Sequence, residues 1–247
     1  MRALLLAAGL GTRLRPITDS VPKCLVRIAG RPLLDYWVEM LYQGGIADIL
    51  VNTHYLPDAV RSYVEDCPYP VRLTTTYEEN LLGTGGTLLK NRDFFRGEAA
   101  MLIHADNLSI FDVNAFVRTY EEREKNIEIT MMTFDTPEPE ACGIVELDEH
   151  GIVRAFHEKV KSPPGNRANG AVYITAPSVV RFLAGLGKER IDFSTEVLPH
   201  YMGRINTFHN TLYHRDIGTV ESLLAAQTDY LLATNSTHSN PSGRFRV

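Results

Sequence analysis

The chain has 247 residues, 44% of them hydrophobic and 22% charged, with a formal net charge of −5. That describes an ordinary globular protein, long enough for one large α/β domain, and the acidic balance argues against general nucleic-acid binding. The charge is uneven: residues 1–31 hold Arg2, Arg13, Arg15, Lys23, Arg27 and Arg31 against the single acid Asp19. A basic patch on an acidic protein fits a small polyanionic ligand. Cys24, Cys67 and Cys142 are too few and too scattered for a zinc site or a disulfide framework, and they point to a reducing cytoplasm. The apolar run at Ala3–Ala8 is too short for a signal peptide or a spanning helix, so no membrane association is expected.

Strand and helix patterns alternate along the first half. Arg2–Ala7 reads as a buried strand. Pro32–Gln43 reads as a helix with proline in its first turn and Gly44-Gly45 closing it. Asp48–Thr53 is a strand, Pro57–Glu65 a helix, and Val71–Tyr77 a strand with a threonine run that suits the pleat. Thr84–Phe95 is a helix after a glycine-rich turn. Ala99–His104 is a short apolar strand, Asp112–Lys125 a helix and Ile127–Phe134 a strand. This alternation predicts a mostly parallel sheet with helices on both faces and ligands at the strand ends.

The second half changes style. Gly143–Leu147 and Ile152–Phe156 flank Asp148-Glu149-His150-Gly151, which signals a hairpin. Strands follow at Asn169–Thr175 and Phe208–His214, helical stretches near 177–184 and 194–202, and a last amphipathic helix at Thr219–Ala233. Residues 234–247 are polar and without period, and read as a flexible tail. No repeat or linker divides residues 1–233, so one domain with a smaller lobe is expected.

The first strand runs into Ala7-Ala8-Gly9-Leu10-Gly11-Thr12-Arg13-Leu14-Arg15-Pro16-Ile17-Thr18, followed by Pro22-Lys23. Gly9 and Gly11 let backbone amides approach a ligand, and such a nest suits phosphate oxygens. Arg13 and Lys23 add full charges. The string is not a P-loop, which needs Gly-x4-Gly-Lys-Ser/Thr. Nor is it a dinucleotide fingerprint, because Leu14 stands where the third glycine would allow close packing. It reads as a triphosphate site at the carboxyl end of the first strand.

This string closely resembles the signature of the sugar-1-phosphate nucleotidylyltransferases, and further landmarks extend the likeness to about residue 230. The resemblance implies a Rossmann-like three-layer α/β fold with a mixed, mostly parallel central sheet and a small sugar-side lobe. It also implies attack by a sugar-1-phosphate oxygen on the α-phosphorus of a nucleoside triphosphate, with pyrophosphate leaving. Two anions must then meet, and the enzyme's task is positioning and charge neutralisation. Within the nucleotide site the resemblance places Leu6, Ala8, Gly9, Gly11, Thr12 and Arg13. Arg13 would hold the β- and γ-phosphates, and Lys23 the α-phosphate. Asp106 and Asp216 look like the two aspartates that hold Mg²⁺. The family often has Asn-Gly-Asp at the first of these, where this chain has His104-Ala105-Asp106.

Glu78-Glu79-Asn80-Leu81-Leu82-Gly83-Thr84-Gly85-Gly86 resembles the base-binding loop. Backbone at Gly83 would approach the base, and the Glu78 carboxylate could accept from both N1–H and the amino group of guanine, which tilts the reading toward GTP. The competing reading is that Glu78 and Glu79 are solvated charges. For the sugar phosphate, Gly143, Glu158, Lys159 and Asn169 match the family's positions, while Val160 and Cys142 depart from its usual proline and aromatic. His104, His157 and His214 lie near these motifs without metal-ligand spacing and read as packing or hydrogen-bonding residues. The favoured function is guanylyl transfer to a mannose- or heptose-type 1-phosphate. A uridylyl-, thymidylyl- or cytidylyltransferase stays open, as does a non-catalytic sensor or regulatory subunit, and so does assembly into a homo-oligomer. A glycosyltransferase of similar fold would need an Asp-x-Asp motif, which the chain lacks.

Overall fold

The computed structural model describes residues 1–238, with side chains to residue 230. The strands are β1 (Arg2–Leu6), β2 (Arg27–Ile28), β3 (Arg31–Pro32), β4 (Asp48–Thr53), β5 (Arg72–Tyr77), β6 (Ala100–His104) and β7 (Asn107–Ile110). They continue with β8 (Ile129–Asp135), β9 (Gly143–Leu147), β10 (Val153–Glu158), β11 (Arg167–Thr175), β12 (Ile205–His209) and β13 (Tyr213–Asp216). The helices are α1 (Leu33–Gln43), α2 (Pro57–Glu65), α3 (Gly83–Lys90), α4 (Val113–Glu121), α5 (Pro177–Gly185) and α6 (Val220–His238).

The main sheet has the order β10-β9-β11-β6-β1-β4-β5, with β8 on β11 and β12 on β8. Strands β6, β1, β4 and β5 are parallel, as the alternation in the first half requires. Strand β11 enters antiparallel and turns the sheet into a mixed one. Successive residues of β1 point to opposite faces. Ala3 and Leu5 join a core with Val38, Val51 and Phe116. Leu4 and Leu6 join another with Leu88, Tyr173 and Leu183. Both faces are therefore covered, and the fold is the expected three-layer α/β sandwich. A third cluster (Leu14, Val26, Ile28, Leu33, Tyr36, Leu108, Ile217, Leu223) packs the signature loop against β7, β13 and α6.

Three expectations need correction. Phe208–His214 is not one strand. Its first part belongs to β12 in the main sheet and its last to β13, which pairs with β7 in a separate ribbon. The break is at Asn210, whose Nδ2 donates to the Tyr213 carbonyl while its Oδ1 accepts from the Leu212 amide. The helix expected at Thr84–Phe95 ends at Lys90 and gives way to a 3₁₀ turn at Arg92–Phe95. Helix α6 runs on to His238 rather than stopping at Ala233, so only residues 239–247 of the expected tail remain, and they lie outside the described residues.

The glycines of the 83–86 loop serve packing. Gly83 has φ +73, and a Cβ there would stand 2.5 Å from the Ile191 carbonyl oxygen. That oxygen accepts from the amides of Gly85 (2.9 Å) and Gly86 (3.2 Å), and the Ile191 amide donates back to the Leu82 carbonyl at 2.9 Å. Segment 188–192 is thus fastened to the start of α3. Gly83→Ala combines a disfavoured φ with a backbone clash and should lower stability by roughly 2–4 kcal/mol. Thermal denaturation measures the loss, and hydrogen exchange should rise first at residues 188–192. An unchanged melting temperature would refute this account of the loop.

Candidate active site

The signature loop leaves β1 and folds through three short 3₁₀ turns at Thr12–Leu14, Ile17–Asp19 and Lys23–Leu25. Gly11 makes the bend, with φ +63, and its carbonyl accepts from the buried Thr18 hydroxyl at 2.7 Å. A Cβ on Gly11 would meet the Thr18 methyl at 2.9 Å. Gly9 faces open space. The loop returns Lys23 beneath the end of β1, where its side chain is only 7% exposed.

Asp106 follows β6, and Asp216 ends β13. The register of the ribbon pairs Asp216 with Asn107 and so brings the two acids together from 110 positions apart. Lys23 Nζ donates to Asp106 Oδ2 at 2.7 Å and to Asp216 Oδ1 at 3.3 Å. Arg13 stands at the rim, 70% exposed, with Nη2 3.9 Å from Asp216 Oδ2. Burial pushes the Asp106 carboxyl up, but the Lys23 ammonium, helped by His104, holds it below the usual carboxylate range.

A cavity of about 270 Å³ opens beside this cluster. Leu6, Ala8, Gly9, Lys23 and Asp106 line one part, and Glu78, Leu81, Gly83, Thr84 and Arg190 another. Of the expected nucleotide residues, Gly11, Thr12 and Arg13 lie outside this lining. Glu78 is not a solvated charge; it is 1% exposed. Its Oε1 accepts from Thr87 Oγ1 at 2.6 Å and Asn52 Nδ2 at 3.0 Å, and its Oε2 accepts from the Leu82 amide at 3.2 Å. Asn52 Oδ1 in turn accepts from the Ala7 amide at 2.7 Å. Glu78 therefore ties β1, β4 and α3 together. With three donors already on its oxygens, it has no room for two more from a guanine.

The sugar-side residues form a group of their own on β9–β11. Gly143 and Glu158 are cross-strand partners, and a Cβ on Gly143 would strike the Phe156 ring at 2.6 Å and Glu158 Oε2 at 2.8 Å. Lys159 has φ +51 and places Nζ 3.7 Å from Glu158 Oε1. Asn169 holds a bulge in β11: its Oδ1 accepts from the Ala171 amide at 2.9 Å and its Nδ2 donates to the Tyr173 hydroxyl at 2.6 Å. None of these four residues lines the cavity beside Lys23. His157 contacts Glu146 at 2.6 Å, and His214 bonds to Ser109 Oγ at 2.6 Å and packs its ring, tilted, against Phe134, both as expected. His104 lines the cavity wall, and its enclosed Nε2 has no hydrogen-bond partner.

Sequence reasoning missed Asn52, Thr87 and Arg190 as lining residues, and it included Thr84 only as part of the base-binding loop. Asn52 had a signal, a polar side chain closing the apolar run Ile49-Leu50-Val51. Arg190 had none, since Lys188-Glu189-Arg190 reads as a solvated charge run.

Residues 2–232 match the sequence pattern of the family described as "Nucleotidyl transferase". The chain belongs to that family. Among curated relatives of this nucleotidyl transferase, the mannose-1-phosphate guanylyltransferase of Mycobacterium tuberculosis is 29% identical over 92% of this chain and 64% of its own length. A UTP–glucose-1-phosphate uridylyltransferase of Synechocystis is 31% identical over 74% of this chain and 51% of its own. The chain thus spans about half to two-thirds of the length of these relatives. The solved structure of HddC from Yersinia pseudotuberculosis with GMP-PN superposes with a TM-score of 0.78 at 23% identity, covering 93% of this chain and 99% of that one, and shares the fold. Divalent-metal dependence is general in the family. Among the described residues no helix is long and apolar enough to cross a membrane.

The half-buried histidine of the β7–β13 ribbon gives a pH prediction. Burial pushes His214 from its ordinary 6.5 down to about 3. The unfolded chain takes up this proton below pH 6.5, while the folded chain resists until about pH 3. Stability from this residue is complete above the unfolded value and falls as pH drops through that window. His214→Gln should therefore flatten the acid side of the stability profile. Urea unfolding at several pH values reads the slope, and an identical slope in both proteins would refute the assignment.

Proposed function

We propose that this chain transfers a nucleotidyl group from a nucleoside triphosphate, with GTP first, to a sugar 1-phosphate of mannose or heptose type. The observation that carries the reading is the Lys23 ammonium, buried and shared between Asp106 and Asp216 at the mouth of the cavity. A phosphate oxygen of the sugar attacks the α-phosphorus, the bond to the β-phosphate oxygen breaks, and pyrophosphate leaves. Lys23 balances the charge that gathers on the α-phosphate, from a position fixed before substrate arrives. Arg13, exposed at the rim, is a planar fork free to close on the β- and γ-phosphates. Glu158 at the end of β10 and Lys159 just after it face the sugar phosphate and its hydroxyls, and Gly143 lets Phe156 and Glu158 pack close against β9.

Asp106 and Asp216 suit Mg²⁺. Among the described residues no cluster of three or more metal-ligating side chains exists. Magnesium needs none, since it is commonly held by one or two carboxylates together with substrate phosphates and water. When bound there it would supply positive charge to the triphosphate and orient it for in-line attack. The guanylyltransferase names of the curated relatives, and the GMP-PN complex of HddC, support GTP over other triphosphates. Free thiols at Cys24, Cys67 and Cys142 support a reducing, cytoplasmic setting.

The deciding experiment is a matrix of GTP, UTP, dTTP, CTP and ATP against several sugar 1-phosphates, read by pyrophosphate release and by the nucleotide sugar formed. GTP with a mannose- or heptose-type phosphate should give the highest kcat/KM. Absence of any nucleotide sugar across the matrix would leave the protein a binder rather than an enzyme. Lys23→Ala should slow the single-turnover step by about 10²-fold, the scale of losing one preorganised charge contact. It should also lower the melting temperature, because Asp106 and Asp216 then face each other uncompensated. Asp106→Asn and Asp216→Asn should each raise the Mg²⁺ concentration at half-maximal rate. Unchanged magnesium titrations in both variants would remove these residues from the metal site.

A further inference from the structure

The part of the cavity nearest α3 has few hydrogen-bonding groups left for a ligand. Glu78, Asn52 and Thr87 are bound to one another and to the Ala7 and Leu82 amides. The Gly83 carbonyl accepts from Thr87 Oγ1, and the amides of Gly85 and Gly86 are held by Ile191. Thr84 Oγ1 accepts from the Phe193 amide. Leu6 and Leu81 offer only apolar surface.

Arg190 is the charged exception; the unpartnered Nε2 of His104 lines the same cavity on the Asp106 side. Arg190 lines the same cavity as Glu78, Leu81, Gly83 and Thr84, and among the described residues its guanidinium has no ion-pair or hydrogen-bond partner. Glu196 lies within its field, but both Glu196 oxygens are already engaged, by Lys188 and by the Asp192 amide. The segment that carries Arg190 is not free to drift. Ile191, its neighbour, exchanges backbone hydrogen bonds with Leu82, Gly85 and Gly86. An uncommitted donor fork is thus fixed at the rim of the region that the base would occupy.

We propose that Arg190 determines base specificity by donating to N7 and O6 of guanine. The assignment rests on the guanylyl reading of the proposed function. A guanidinium presents parallel donors, and guanine presents two adjacent acceptors on one edge. Adenine offers N7 beside a donor amino group, which a guanidinium repels, and pyrimidines have no N7. Arg190 also comes from the segment just after α5, beyond β11, and not from the signature loop. The phosphates and the base are thereby held by parts of the chain that can vary separately.

Calorimetric titration of the full chain with GTP, 7-deaza-GTP and UTP, in Mg²⁺ and without sugar phosphate, tests this. The unmodified protein should bind 7-deaza-GTP about tenfold more weakly than GTP, because one of two charge-assisted bonds is lost. Arg190→Gln and Arg190→Lys should each weaken GTP by about tenfold to a hundredfold and make GTP and 7-deaza-GTP equivalent, with UTP changed by less than about twofold. Arg190 is exposed, so both variants should keep the melting temperature of the parent. Equal loss for GTP and UTP in Arg190→Gln, restored by lysine, would make Arg190 a phosphate contact and overturn the inference. GTP preference that persists in Arg190→Gln would overturn it while leaving the guanylyl reading intact. Tighter binding of UTP than GTP by the unmodified protein would overturn both.

Discussion

The site depends on one buried ammonium held between two carboxylates. A lysine that is 7% exposed is tolerated only when its charge is matched. Asp106 and Asp216 match it, and it in turn offsets the repulsion between the two acids. Each of the three comes from a different part of the chain, so the fold must solve a problem of convergence. The β7–β13 register solves one half by placing Asp216 opposite Asn107. Helix α6 solves the other. Its Asp229 accepts from Arg215 Nη2 at 2.8 Å and from the Tyr213 hydroxyl at 2.9 Å, which secures the strand that ends in Asp216. Its Gln227 bridges the Ala29 amide and the Arg27 carbonyl, which secures the ribbon just after Lys23. One helix thus braces both sides of the charge cluster.

A second constraint governs the neighbouring part of the cavity. Here the buried group is Glu78, and it is matched by hydrogen bonds instead of by a cation. Asn52 and Thr87 give it two donors, and the Leu82 amide gives a third. Low dielectric makes such a network costly when incomplete and rigid when complete. It sets the start of α3 firmly against the ends of β1 and β4. Segment 188–192 can then dock on that start through Ile191, and the glycines at 83, 85 and 86 are what allow the approach.

The sequence made the phosphate side legible and the base side much less so. Gly9, Gly11, Arg13 and Lys23 lie within fifteen residues, and their chemistry shows in their order. The parallel first half was equally plain, because apolar strands and amphipathic helices alternate there. Strand β7 was not visible. It is four residues long, and its partner lies at the far end of the chain, so no local period marks it. The run Phe208–His214 looked continuous because the Asn210 side chain breaks the strand with local hydrogen bonds that pattern cannot show. Glu78 drew notice as a polar residue beside a glycine loop. Whether it met solvent, a base or a buried network depended on Asn52 and Thr87, which are distant in sequence and ordinary in type.

This division has a physical consequence for how such a fold accommodates different substrates. Charge neutralisation at the phosphates makes the same demand whatever base is attached, so Lys23, Asp106 and Asp216 have little freedom: without Lys23 the two acids face each other unmatched, and without either acid the buried ammonium loses one of its two partners. Recognition of a base makes a different demand each time, and the fitting group must change with it. A donor fork on a docked segment can be replaced without disturbing the buried lysine, because the segment is anchored by backbone through Ile191 and not by the arginine itself. Curated relatives whose names carry GTP-type and UTP-type activities, at similar identity to this chain, are what that separation predicts. On the proposed reading, the chemistry is fixed where charges must balance, and selectivity resides where a single exposed side chain meets the cavity.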